Sequence, residues 1–327
     1  VPVTGRPLLT LTLAAPLAFC ACGLGPPSGP DRATGPVALV IEPDAGAGAI
    51  VDLIASARAS IWAEMYLLTD ARAVDVLAGR ARAGCDVRVI LEPAPYQNED
   101  GNQAAFAALT AAGARVSWST PRFSYTHAKA LIIDHARLAV LTLNLTGAGL
   151  GGNREYAAVD DDPDDVAAAE ALFAADATGA DADRRVPGRL VTSPEDSRAV
   201  FTSLIDGARV ALAVETEELT DPGIVSALMA ARDRGVSLTL VWPGPADSGS
   251  AFAKLAAAGA TVRAVDAPAI HAKVVVADER AVYLGSANFT PTSLDRNREI
   301  GLRLDDAAAA ARIAAIVADD AARGVSP

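Results

Sequence analysis

The sequence predicts an α/β fold built from two copies of one strand–helix unit, and three observations predict it. From Val37 onward, short apolar runs alternate with longer helical patterns, as in sheets with helices packed on their faces. The pattern then repeats: Leu39-Val-Ile-Glu-Pro43 pairs with Leu190-Val-Thr-Ser-Pro194, and Leu68-Thr-Asp70 with Leu219-Thr-Asp221. Finally, one set of polar residues occurs twice at constant spacing. His127, Lys129, Asp134, Asn144 and Glu155 are matched by His271, Lys273, Asp278, Asn288 and Glu299, an offset of 144 throughout. Two copies of the same groups suggest one symmetric site to which each half contributes.

The chain begins with a segment that reads as an export signal, residues 1–21. Arg6 precedes an apolar stretch, residues 7–19, too short to span a bilayer as a helix. The run Leu17-Ala-Phe-Cys-Ala-Cys-Gly resembles the lipobox of bacterial lipoproteins, with Ala21 the small residue before Cys22; Phe19 before Cys20 fits less well. Cys22 is therefore the expected lipidation site, with simple secretion as the alternative. Residues 22–36, rich in Gly and Pro, read as a flexible tether.

The first repeat is expected over residues 37–180. Residues 37–41 read as a strand, 45–58 as a helix, 61–67 as a strand and 71–83 as a helix. Then follow strand 87–91, helix 103–112 and strand 115–118, three β runs at 127–133, 138–143 and 155–159, and a closing helix, 164–175. Residues 181–188 form the junction. The second repeat, 189–327, keeps the order and ends in an Ala-rich helix, 306–323. The offset between copies is 151 in the early strands and 144 at the His motifs, which puts the length difference in polar loops.

Composition narrows the function. The 327 residues are 51% hydrophobic and 21% charged, enough for a sizeable core, with a net charge of -12 and a pI near 4.7. Such acidity disfavours general nucleic-acid binding, which needs a basic surface. The three Cys make no CxxC and no Cys/His cluster, so no metal site or cofactor is expected, and Cys85 reads as a small packed residue.

The paired groups fit one chemistry. Side chains at i and i+2 of a strand share a face, so His127 projects with Lys129 and His271 with Lys273, while Ala128 and Ala272 turn into packing. One His can attack phosphorus and a second can protonate the leaving oxygen and then activate water. Lys and Asn can hold phosphate oxygens, and Glu can fix an imidazole tautomer.

His-x-Lys-x4-Asp followed by Gly-Ser-x-Asn and a downstream Glu resembles the signature of the phospholipase D superfamily. His271, Lys273, Asp278, Gly285-Ser286-Ala287-Asn288 and Glu299 match it in full. His127, Lys129, Asp134, Asn144 and Glu155 match too, with Leu141-Thr142 in place of Gly-Ser. The resemblance implies two α/β/α sandwich repeats related by a pseudo-twofold axis and sharing one central cleft, a pseudo-dimer within a monomer. It implies catalysis by His127, Lys129, Asp134, His271, Lys273 and Asp278, with His127 as nucleophile and His271 as general acid and then base. Asn144, Asn288, Glu155, Glu299, Ser286 and Thr142 would bind or orient phosphate. The expected reaction is hydrolysis of phospholipid head groups at a membrane surface. A metal-independent endonuclease and a cardiolipin-synthase-like transferase are the alternatives.

Other residues carry weaker expectations. Glu64 and Glu215 stand inside apolar strands as structural pairs or as cleft lining. Arg154 and Arg298 could help hold phosphate, although strand alternation points them away from the adjacent Glu. Tyr125 could line the cleft mouth, His135 reads as a turn residue, and the acidic run 160–165 as a helix cap.

Overall fold

The computed structural model describes residues 1–2, 37–180, 188–244 and 249–326. Residues 3–21 of the signal segment, the tether with Cys22, and nearly all of the junction lie outside them.

The first half runs β1 (Ala38–Glu42), α1 (Ala49–Ala55), β2 (Ser60–Met65), α2 (Ala71–Arg82), β3 (Asp86–Leu91), α3 (Gln103–Ala111), β4 (Arg115–Trp118), β5 (Lys129–Ile133), β6 (Arg137–Leu141), β7 (Asn153–Asp160) and α4 (Pro163–Thr178). The second runs β8 (Leu190–Ser193), α5 (Ser197–Gly207), β9 (Ala211–Thr216), α6 (Pro222–Asp233), β10 (Ser237–Trp242), α7 (Gly249–Ala257) and β11 (Thr261–Ala264). It continues through β12 (Ala269–Ile270), β13 (Lys273–Ala277), β14 (Ala281–Gly285), α8 (Pro291–Asp295), β15 (Glu299–Leu304) and α9 (Ala307–Arg323). One sheet has the order β1-β7-β6-β5-β2-β3-β4, with β12 added beside β7, and the other β8-β15-β14-β13-β9-β10-β11. Equivalent strands hold equivalent places, so the sequence repeat is a repeat of topology.

The same local chemistry starts equivalent helices. Asp70 caps α2, accepting from the Arg72 and Ala73 amides, and Asp221 caps α6, accepting from Ile224. Within the acidic run, Asp162 caps α4 with Pro163 in its first turn. Its neighbours do more than the sequence suggested: Asp160 and Asp165 both bind the buried Arg189 guanidinium, each at 2.6 Å, fastening the start of the second half to the first.

Three apolar clusters hold the layers. Ile61, Val89 and Leu131 pack with α1 to α3 outside the first sheet, and Leu212, Leu240 and Val275 pack with α5 to α7 outside the second. The third cluster joins the halves: Ala130 and Ile132 of β5, with Ala128 just before it, meet Val274 and Val276 of β13, with Ala272 just before it, and Phe173 of α4 and Ile313 of α9. Period-two alternation sends Ala128 into this central layer, as expected of it, while Leu131 turns outward.

Some boundaries differ from expectation. The first helix begins at Ala49 rather than at residue 45, because Pro43 to Gly46 turn the chain, with Gly46 at φ +84°. His127 and His271 precede their strands, which begin at Lys129 and Lys273. Their backbones are taken up by the other half instead: the His127 amide donates to the Arg298 carbonyl at 2.8 Å, and Ala269 and Ile270 pair with Asn153 and Arg154.

Candidate active site

Each histidine thus stands at the mouth of a central strand, tied by backbone to the opposite half, and both line one cleft of about 530 Å³. Tyr66, Tyr96, Tyr125, Asn144, Asn288, Glu217 and Arg296 share the lining. Tyr125 takes the place expected of it.

The buried glutamates act across the halves. His127 Nδ1 lies 2.9 Å from Glu299 Oε2, and His271 Nδ1 lies 2.6 Å from Glu155 Oε1, though the latter N–H is poorly aligned for a linear hydrogen bond. Thr142 Oγ1 donates to Glu155 at 2.5 Å and Ser286 Oγ to Glu299 at 2.6 Å. Each hydroxyl also accepts the amide of the residue after its Glu, from Tyr156 at 2.9 Å and from Ile300 at 3.0 Å. Thr142 therefore does in the first half what Ser286 does in the second. Burial alone would raise Glu155 and Glu299, but the opposed histidine and the lysines hold both below the usual carboxylate range.

Lys129 and Lys273 are fully buried, and each ammonium donates to the carbonyl of its own histidine, at 2.8 and 2.5 Å. Burial pushes Lys129 down to about 7; the Glu299 charge opposes this, and the Lys273 charge adds to it. Burial also carries His127 below its ordinary value, against the pull of Glu299. The carboxamide oxygens of Asn144 and Asn288 are buried without a hydrogen-bond partner among the described residues. Both side chains line the cleft, where the sequence put them.

The two sides are not equal. Against His127 stands Tyr66, its ring edge-on with centroids 4.5 Å apart, and the Lys129 ammonium lies 5.0 Å from the Tyr66 centroid. The second half has Glu217 at the corresponding place. Its Oε2 lies 2.9 Å from Lys273 Nζ, 3.4 Å from Asn288 Nδ2 and 3.5 Å from His271 Nε2. Sequence reasoning missed Glu217. The available signal was a break in the repeat, an acid two residues past Glu215 where the first copy carries an aromatic two past Glu64.

Several expected site residues lie elsewhere. Asp134 and Asp278, expected to be catalytic, sit at the far ends of β5 and β13, some five strand residues or roughly 17 Å from the lysines. Asp134 accepts the amides of Arg58, Ala59 and Ser60, and Asp278 those of Arg209, Val210 and Ala211. They fasten a tight turn to the start of the neighbouring strand, β2 or β9, and do not reach the cleft. His135, beside Asp134 at φ +54°, is the turn residue expected and pairs with Glu170.

Arg154 and Arg298 hold the protein together rather than phosphate. Arg154 binds Asp320 of α9 at 2.6 Å and the Glu42 carbonyl. Arg298 binds Asp176 of α4 at 2.9 Å and Glu195 at 2.8 Å. Both Asp partners belong to the opposite half. Glu215 joins these networks as a structural partner: Tyr156 Oη donates to it at 2.7 Å, and burial together with the Asp320 charge pushes it up to about 8; Glu64 is buried beside Asp176 and Arg298, and burial raises its pKa. Among the described residues, no group of three or more His, Cys, Asp or Glu is arranged to hold a metal ion.

The sequence matches the family model described as "Cardiolipin synthase, PLD-like domain" twice, over residues 50–177 and 201–320. Over 261 residues it is 27% identical to a polyphosphate kinase of Yersinia pestis, covering 72% of this chain and 37% of that protein. Over 87 residues it is 37% identical to Phospholipase D Z of Dictyostelium discoideum, covering 24% of this chain and 21% of that protein. The chain spans well under half the length of these curated relatives. Its fold resembles that of the polyphosphate kinase from Porphyromonas gingivalis, with a TM-score of 0.68 at 17% identity, covering 86% of this chain and 50% of that one. It also resembles a phosphatidylserine synthase of Haemophilus influenzae Rd KW20, with a TM-score of 0.66 at 11% identity, covering 88% and 86%. At such identities the two structures speak for the fold alone.

Proposed function

The chain belongs to the phospholipase D superfamily, and on that premise we propose that it hydrolyses phospholipid head groups through a phosphohistidine intermediate. The observation that carries this reading is the pair of histidines facing one cleft, each with its Nδ1 against a buried glutamate of the other half. That arrangement turns both Nε2 atoms toward the cleft, with Glu217 near that of His271.

His127 is the nucleophile. Its lowered pKa keeps the ring neutral, whereas the Nε2 of His271 lies 3.5 Å from the Glu217 carboxylate. His127 Nε2 attacks phosphorus as His271 donates a proton to the departing alcohol oxygen; the phosphorus–oxygen bond breaks and a phosphorus–nitrogen bond forms. In the second step His271 takes a proton from water, the water oxygen attacks phosphorus, and the phosphorus–nitrogen bond breaks. One diester and one water give one monoester and one alcohol. Lys129, Lys273, Asn144 and Asn288 hold the phosphate oxygens on which charge develops.

The net charge of -12 supports a lipid over a polyanionic substrate, and the three tyrosines of the cleft give a head group apolar faces to rest on. Export, with Cys22 lipidated, would hold the enzyme beside its substrate. An alcohol replacing water in the second step would make the same site a transferase. A side-by-side assay tests the reading: phosphatidylcholine vesicles against single-stranded DNA, each with and without EDTA, and the vesicles also with added glycerol. Release of choline that survives EDTA is the expected result. Cleavage of DNA without lipid turnover would refute it, and phosphatidylglycerol as the main product would shift it to transfer.

A further inference from the structure

Glu217 has no place in the two-step scheme, yet its carboxylate engages the donors that the scheme assigns to phosphate. One oxygen, Oε2, lies within 2.9 Å of Lys273 Nζ, 3.4 Å of Asn288 Nδ2 and 3.5 Å of His271 Nε2. The three groups converge on it as they would on a phosphate oxygen. The first half has no such carboxylate, because Tyr66 fills the corresponding position. Glu217 follows directly on β9, and its side chain is 34% exposed, so it can turn toward solvent without unpacking the core.

We propose that Glu217 is a specificity-determining residue that competes with substrate for Lys273, Asn288 and His271 and so favours singly charged phosphodiesters over doubly charged phosphate monoesters. The assignment rests on the phosphodiesterase reading for its role in turnover. A diester brings one negative charge into the cleft; its phosphate oxygens displace Glu217 from the three donors, but the carboxylate stays close by. A monoester near neutral pH carries close to two charges and meets about twice the repulsion from the same carboxylate. The monoester is also the product, so the same repulsion speeds its release.

Binding, rather than turnover, tests this. Inorganic phosphate and dimethyl phosphate are titrated at pH 8 into the whole protein and followed by 31P NMR, in wild type, Glu217→Gln and Glu217→Ala. Both variants are expected to tighten inorganic phosphate by about tenfold or more, the effect of removing one nearby charge, and dimethyl phosphate by roughly threefold or less. Agreement between the two variants assigns the effect to charge, since only Glu217→Gln preserves shape. An unchanged ratio of the two affinities, or no binding of either anion by any of the three proteins, overturns the proposal. A protein that shows the shift but hydrolyses no diester retains the Glu217 assignment and loses the hydrolase reading.

Discussion

His127 Nδ1 lies 2.9 Å from Glu299 Oε2, and the two residues lie on opposite halves of the chain, 172 positions apart. His271 and Glu155 form the reciprocal pair. Each histidine is oriented from the other half, so the site is complete only in the folded pair of repeats. In Glu299→Gln the carboxamide can present its NH2 to Nδ1 and favour the wrong tautomer. Loss of kcat by roughly 10²- to 10⁴-fold is expected, as for the carboxylate of a catalytic triad, with little change in KM. Steady-state kinetics on a soluble short-chain lipid measures it. Activity within threefold of wild type would mean that Glu299 does not set the tautomer.

The halves are held to each other by buried ion pairs. Arg154 and Asp320 are almost wholly excluded from solvent, and removing Asp320 leaves the buried guanidinium only the Glu42 carbonyl and the solvent-exposed Asp44 carboxylate. Asp320→Ala should destabilise the protein by about 3–5 kcal/mol, read from urea unfolding. Replacing both residues with apolar side chains of similar size should recover much of that loss. A single variant as stable as wild type would show that the pair is not a clamp.

Asp134 belongs to stability rather than to turnover. It accepts three backbone amides, so Asp134→Ala is expected to cost about 2 kcal/mol and to leave kcat of the folded enzyme within a few-fold. The amides hold its carboxyl below the usual range despite the burial that opposes them. The stabilisation is therefore complete above the unfolded value of about 4 and fades as pH falls through the lower folded value. Urea melts at pH 3 and pH 7, compared between wild type and variant, check both parts.

The site should work within a narrow pH window. Lys129, pushed down to about 7 by burial, must carry a proton to attract phosphate, and it loses that proton as pH rises. His127, lowered by burial, must be neutral to attack and becomes so below its ordinary value of about 6.5. The profile of kcat/KM should fall on the alkaline side near pH 7 and on the acid side below about pH 6.5. A plateau that extends to pH 9 would show that Lys129 stays charged in the free enzyme.

The repeat made most of the fold legible. Because both copies carry the same strand and helix patterns, the sequence strands 37–41 and 87–91 lie within a residue or two of β1 and β3 at each end. What the repeat could not reveal was which copy each polar group serves. Sequence spacing pairs His127 with Glu155 in its own half, whereas the cleft pairs it with Glu299. Leu141, which departs from the family pattern, is explained only by its neighbours in space. In the second half Gly285 pairs with Gly301; a Cβ on Gly301 would enter the Tyr283 ring, and one on Gly285 would meet the Gly301 backbone, the Ile300 carbonyl and the Tyr283 hydroxyl. In the first half those positions are Leu141, Ala157 and Ala139, so Leu141 supplies the bulk that Ala139 lacks. Glu217 escaped notice for the opposite reason, since it occurs in one copy only.

The central claim is a covalent bond between phosphorus and His127, formed with His271 as the acid. Rapid quench of a single turnover with a diester labelled at phosphorus, followed by alkaline peptide mapping, tests it most directly. The account predicts an acid-labile, base-stable label on the peptide that carries His127 in the wild type, and no label in His127→Asn. Label on His271 would reverse the roles of the two histidines, and turnover with no label on either would contradict the double displacement.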